Sequence, residues 1–184
     1  MPITRDEVCV DYRARYQRKN EMGGVQYVEP EISQASRVEI DDFLELLQCE
    51  ASRGHFTGLK SNTMVTQYAS ELQSANDALS SGKPAMVMTY AIKAQGQAIG
   101  LCVLRAIEDP TILDLNVLLI SPNWRNRGFG RWVINAFREE MKNSGRRLQV
   151  RCMPASISMM SLLVQMGFRE IPQPFGSVRY FSCS

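Results

Sequence analysis

Hydrophobic and polar positions alternate along this chain with two periods, one near 3.6 residues that marks helices and one near 2 that marks strands. Thr4 and Glu7 fit a capping box and Gly23-Gly24 a stop, so residues 1–24 are expected to form an extension with a helix from about Arg5 to Asn20. The remaining residues, 25–184, are expected to form one domain. Val25 to Ser33 looks extended, with Pro30 suiting an edge or a bulge. A helix is then predicted from Ser36 to about Cys49, with Val38, Ile40, Phe43, Leu46 and Leu47 as its buried stripe. A polar, glycine-bearing loop over Ala51 to Gly58 reads as flexible. Beyond it Val65, Tyr68, Leu72, Ala75 and Leu79 define a second helix, stopped by Ser80-Ser81-Gly82.

From Pro84 the period shortens. Met86 to Ile92 and Ala98 to Ala106 bracket a hairpin turn over Lys93 to Gln97, and Ile112 to Ile120 is the central strand, stopped by Pro122. If that strand is regular, Ile112, Asp114, Asn116, Leu118 and Ile120 share one face, and a bulge would change the phase. Ile134, Phe137 and Met141 then recur at helical spacing up to an Asn143-Ser144-Gly145 cap. Leu148, Val150 and Cys152 alternate as a strand, a short helix runs from about Ser156 to Met166, and Ser177 to Cys183 closes the sheet.

Composition narrows the function classes. At 184 residues, 45% hydrophobic and 22% charged, the chain fits one globular domain of ordinary solubility, expected in the cytoplasm. A formal charge of +2 gives no general argument for nucleic acid or an anionic membrane. No apolar stretch reaches bilayer length, and Arg5, Asp6 and Glu7 do not suit a secretory segment. Cys9, Cys49, Cys102, Cys152 and Cys183 are scattered without a CxxC and read as reduced thiols. His55 is the single histidine, which excludes mechanisms needing two imidazoles and argues against a metal. Arg13, Arg15, Arg18 and Lys19 form either a solvated helix face or a docking surface.

The most informative stretch is Asn116 to Phe137, in which a buried strand meets a basic glycine turn and the turn opens a helix. A helix start presents unpaired N–H groups and positive potential, so this succession forms an anion site. Gly128 and Gly130 let a ligand approach without meeting a Cβ, and Arg125, Arg127 and Arg131 add charge suited to a pyrophosphate. The spacing is R-x-x-G-x-G, neither a P-loop nor a dinucleotide fingerprint.

Arg125-x-x-Gly128-x-Gly130, preceded by Ile120-Ser121-Pro122, resembles the acetyl-CoA signature of the GNAT superfamily of N-acetyltransferases. About 35 residues further on, Ser161 to Phe168 is similar to the family's later helix, which typically ends in a Gly-Phe pair, here Gly167-Phe168. The resemblance covers roughly residues 31 to 183. It implies an α/β (α+β) acyl-CoA N-acyltransferase fold, a mixed, largely antiparallel sheet flanked by helices. It also implies an acetyl-CoA cosubstrate, no metal, and direct attack by a primary amine on a small molecule or a protein. Pyrophosphate binding falls to Arg125, Asn126, Arg127, Gly128, Phe129, Gly130 and Arg131. Polarisation of the thioester falls to a backbone N–H among Leu118, Leu119 and Ile120, where the family's central strand commonly carries a bulge and splays from the next. The two early helices and their loop, with His55 and Phe56, would line the acceptor pocket.

Asp114 stands where many relatives have a glutamate ahead of the motif. A carboxylate in an apolar strand is costly to bury unpaired, and a raised pKa would suit a base, so Asp114 is the candidate to activate the amine and Asn116 to hold a bridging water. Alternatively, Asp114 is a strand-end or edge carboxylate, in solvent or paired with an arginine. His55 could instead contact the acceptor or act as base, since imidazoles titrate near neutrality. Leu163 is a departure, standing where the family commonly has a proton-donating tyrosine, with Ser161 or Cys152 as substitutes. Trp124 is expected beside the turn, able to stack on adenine; Trp132, Met159, Met160 and Met166 read as core. Two other readings stay open: a non-catalytic CoA-binding or regulatory module, and a protein that docks partners through its basic N-terminal helix. The acceptor and a homodimeric state are also open.

Overall fold

The computed structural model describes residues 30–59, 61–172 and 176–183, so the helix expected over Arg5 to Asn20, with its basic residues and Cys9, lies outside the described residues. In chain order the elements are strand β1 (Pro30–Gln34), helices α1 (Arg37–Asp42), α2 (Leu44–Ser52) and α3 (Asn62–Ser80), strands β2 (Val87–Ala94), β3 (Gln97–Ala106) and β4 (Ile112–Ile120), helix α4 (Phe129–Asn143), strand β5 (Arg147–Cys152), helix α5 (Ile157–Gln165) and strands β6 (Arg169–Ile171) and β7 (Arg179–Ser182). Seven strands form one sheet in the order β1-β2-β3-β4-β5-β7-β6. Every pairing is antiparallel except β4 with β5.

Each face of the sheet carries its own core. Ile40 of α1, Phe43 between the helices and Leu47 of α2, with Val65 and Leu72 from α3, cover Leu101, Val103, Val117 and Leu119. Phe137 and Met141 from α4 and Leu163 from α5 cover Cys102, Leu104, Leu113 and Leu115 on the other side. Side chains such as Leu72 and Leu101 are fully buried, each worth about 1.5–3 kcal/mol on removal from water. Buried Asn76 of α3 ties the helical layer to the sheet, donating to the Ala35 carbonyl at 2.8 Å and accepting from Thr89 N–H at 3.2 Å.

Several expected details are corrected. The single helix after Ser36 is two, divided at Phe43, and Val38 lies outside the stripe at 68% exposed. Ser36 caps α1 in a full capping box with Glu39. The hairpin turn contracts from Lys93–Gln97 to Gln95-Gly96, both with positive φ (53° and 75°), as a two-residue type I′ connection requires. The strand at the C-terminal end does not close the sheet at its edge: β7 lies between β5 and β6, and β6 is the edge. Pro30 does sit in an edge strand.

The central strand is not regular. Val103 faces Val117 but Leu104 faces Leu115, so Asn116 is the extra residue of a bulge. The bulge reverses the phase: Leu113 and Leu115 face the α4 side, as do Leu118 and Ile120 beyond it, while Val117 and Leu119 face the other. The face proposed for Ile112, Asp114, Asn116, Leu118 and Ile120 therefore does not exist. Among the described residues no helix is long and apolar enough to cross a membrane.

Candidate functional site

The parallel pairing of β4 with β5 ends at Leu115 and Val150, although β4 continues to Ile120 and β5 to Cys152. The strands part there, and a cleft of about 590 Å³ opens between them. Leu118, Leu119, Ile120, Arg125, Asn126, Gly128, Phe129, Gly130 and Arg131 all line it; Arg127 does not. Asn126 (φ 60°) and Gly128 (φ 87°) reverse the chain into α4, whose N-cap Gly128 has no side chain to cap it. The first helical bond runs from Trp132 N–H to the Gly128 carbonyl at 3.0 Å. The N–H groups of Phe129, Gly130 and Arg131 therefore precede the first helical bond and are left for an anion.

The three arginines are differently placed. Arg125 donates from Nε to the Ile120 carbonyl (2.8 Å) and from Nη2 to Glu50 Oε1 (3.1 Å), so it braces the turn against β4 and α2. Arg127 stacks over Trp124 at 5.0 Å, and Trp124 in turn packs edge-on against Phe129. Arg131 donates to Gln165 Oε1 at 2.9 Å while lining the cleft.

A second cavity of about 440 Å³ lies on the other side of β4, beneath the α2–α3 loop, with Tyr68 and Glu71 of α3 and Arg105 of β3 in its walls. His55, Phe56, Asn116 and Arg151 line both cavities. The bulge puts Asn116 at this junction. His55 Nδ1 lies 3.1 Å from Ser156 Oγ and Nε2 lies 3.7 Å from Glu50 Oε2. Glu50 is buried at 5% exposed, and its Oε1 also accepts from Arg53 at 3.0 Å. Glu50 and Ser156 escaped the sequence reading. The signal for Glu50 was its position: it falls on the stripe of Ile40, Phe43 and Leu47, where a carboxylate needs a reason.

Asp114 stands apart from this group. It is fully buried, lines neither cavity, and accepts from Arg151 Nη2 at 2.9 Å and Gln149 Nε2 at 3.3 Å. The pairing with an arginine holds, but inside the central strand and not at a strand end or edge. This geometry gives Asp114 no direct contact with an acceptor in either cavity. Leu163 is fully buried in the core, and its neighbour Leu162 faces the cleft. Ser161 is exposed and lines neither cavity. Burial pushes the Cys152 thiol up to about 12, so it remains protonated where it borders the cleft. Burial likewise pushes the Tyr68 phenol up to about 12. Among the described residues no group of three His, Cys, Asp or Glu could hold a metal ion.

The sequence pattern of the acetyltransferase (GNAT) family matches residues 42–168. The fold is shared with the PaiA N-acetyltransferase from Thermoplasma acidophilum in complex with coenzyme A (TM-score 0.62, 17% identity, covering 84% of this chain and 98% of that one). RimL, a ribosomal L7/L12 α-N-protein acetyltransferase in complex with coenzyme A, gives TM-score 0.66 at 14% identity over 84% and 93% of the two chains. The ribosomal-protein-S18-alanine N-acetyltransferase from Escherichia coli gives 0.56 at 14% over 84% and 91%. A search of curated protein sequences returned no match.

Proposed function

The chain belongs to the acetyltransferase (GNAT) family, and from that premise we propose that it transfers an acetyl group from acetyl-CoA to a primary amine by direct attack, without an acetylated enzyme. The observation that carries this reading is the parting of β4 from β5, because the cleft it opens runs from the uncapped start of α4 to the place where the second cavity begins. The chain's residues fit the cosubstrate. The N–H groups of Phe129 to Arg131 would hold a pyrophosphate, with Arg131 adding charge and Arg125 bracing the turn. Beyond Leu115 the edge of β4 faces the cleft, so a backbone N–H among Leu118, Leu119 and Ile120 would polarise the thioester carbonyl.

The second cavity would receive the amine, with His55, Phe56 and Asn116 at its inner end. Asp114 would act indirectly, by fixing Arg151 between the cavities. Relatives of this fold that acetylate ribosomal proteins make a protein N-terminus a reasonable acceptor beside small amines. A second reading, a CoA-binding module without turnover, draws on the buried Leu163 at the position of the expected proton donor.

Calorimetric titration with acetyl-CoA and with CoA tests the cofactor reading. Binding by the wild type, weakened about 10-fold or more in Gly128→Ala through loss of the left-handed turn, is the expected result. Absence of binding by folded wild type would overturn both readings. Binding without amine-dependent thiol release across polyamines, amino acids and N-terminal peptides would favour the module.

A further inference from the structure

We propose that Ser156, His55 and Glu50 form a proton relay at the junction of the two cavities, carrying the proton of the attacking amine to the departing thiolate. The relay rests on the acetyl-transfer reading and supplies what neither Asp114 nor Leu163 provides.

The first observation concerns Ser156. It is the N-cap of α5, where serine ordinarily bonds to the helix's own N–H groups, yet it makes no such bond. Its Oγ instead lies 3.1 Å from His55 Nδ1, a residue 101 positions away, and it borders the cleft. The second concerns Glu50. Its Oε1 is taken by Arg53 and Arg125, while Oε2 faces His55 Nε2 across 3.7 Å, an electrostatic contact longer than a hydrogen bond.

The tautomer decides which ring nitrogen donates, and the relay takes the one that the carboxylate favours electrostatically. A carboxylate only accepts, so the imidazole turns its N–H, on Nε2, toward Glu50 and leaves Nδ1 bare. A bare Nδ1 accepts the Ser156 O–H. The lone pairs of Oγ are thereby left toward the cleft, where they can take a proton.

As the amine nitrogen forms its bond to the acetyl carbon, Ser156 Oγ takes the proton shed by nitrogen and passes its own to His55 Nδ1. The imidazolium so formed is balanced by Glu50. When the carbon–sulfur bond breaks and its electron pair stays on sulfur, His55 returns the proton through Ser156 to the thiolate. The amine has lost one proton, the thiol has gained one, and the three side chains end as they began. Glu50 is a positioning residue that acts through His55.

His55 is the single histidine of the chain, so ring-nitrogen NMR reads this imidazole without ambiguity. At about pH 8, above the ordinary imidazole range, the Nε2–H form is expected to dominate in the full-length protein, and Ser156→Ala or Glu50→Gln to mix the two forms. A dominant Nδ1–H form overturns the relay, because Nδ1 would then be donating to the serine. The second arm measures thiol release from acetyl-CoA with an alanine-initiated peptide or the best amine found by screening. Ser156→Ala and His55→Ala are expected to lose about 10²-fold in kcat, with acetyl-CoA affinity held within about twofold. Added imidazole is expected to restore part of the His55→Ala activity, and Ser156→Thr to retain more than Ser156→Ala. Normal turnover in both variants, or an acetyl group recovered on Ser156 after quenching, overturns the relay while leaving acetyl transfer standing. Failure of the wild type to bind acetyl-CoA removes the acetyl-transfer reading itself.

Discussion

Two glycines near the cleft act for opposite reasons. At Gly100 in β3 an added Cβ would sit 2.4 Å from the Leu119 carbonyl oxygen and 2.9 Å from Ile120 Cδ1, so the absence of a side chain is what lets β3 approach β4. Gly100→Ala should push apart the strands that back the cleft and cost about 2–3 kcal/mol, measured as a lower midpoint in urea unfolding. At Gly128 a Cβ would meet nothing within 4 Å, and the requirement is the φ of 87° alone. Alanine there should cost about 1–2 kcal/mol of stability, with its main effect on acetyl-CoA binding. Sequence reasoning reached Gly128 because its role is local to the turn. It could not reach Gly100, whose constraint comes from a carbonyl 19 positions away on another strand.

Helices with a clear apolar stripe were legible because local periodicity decides them. The stripe of α3 and the Ile134, Phe137 and Met141 face of α4 are such cases. Register was not legible. The bulge at Asn116 follows from how β4 matches β3, and among the described residues β6 pairs with β7 alone, so neither leaves a local mark. The capping box of α1 was equally open to reading, and it carries a pH dependence. Burial raises the Glu39 carboxyl, but the bonds to Ser36 and the Lys93 ammonium 2.9 Å away outweigh it, and the net shift is downward. A carboxylate lowered in the folded state stabilises above its unfolded pKa and loses that contribution as pH falls through the folded one. Glu39→Ala should therefore cost about 0.5–1 kcal/mol at neutral pH, and wild type and variant should converge in strong acid. Urea unfolding across that range measures it.

The site as a whole draws on distant parts of the chain: Glu50 and His55 from α2 and its loop, Asn116 from β4, the turn from Arg125 to Arg131, and Ser156 before α5. Only the turn is contiguous and announced itself as a motif; His55 and Asn116 were single candidates, and Glu50 and Ser156 left no signal that was read. The rest needed the fold to bring it together. A ligand that binds across these segments in the native state, and not in the unfolded chain, must stabilise all of them at once. At a hundredfold excess over its dissociation constant, acetyl-CoA should add about 2.7 kcal/mol and raise Tm by roughly 5–10 °C, read by calorimetric or fluorescence melting.

Arg125 joins the two ends of this assembly. One side of its guanidinium is held by the last carbonyl of β4 and the other by Glu50, whose second oxygen faces the imidazole. An anion that draws Arg125 toward the turn therefore withdraws a cation from the carboxylate behind His55 and alters how firmly that carboxylate holds a protonated ring. By thermodynamic reciprocity, whatever factor cosubstrate binding imposes on acceptor affinity, the acceptor imposes on the cosubstrate. Such a bridge would couple the two proposed sites through a single guanidinium.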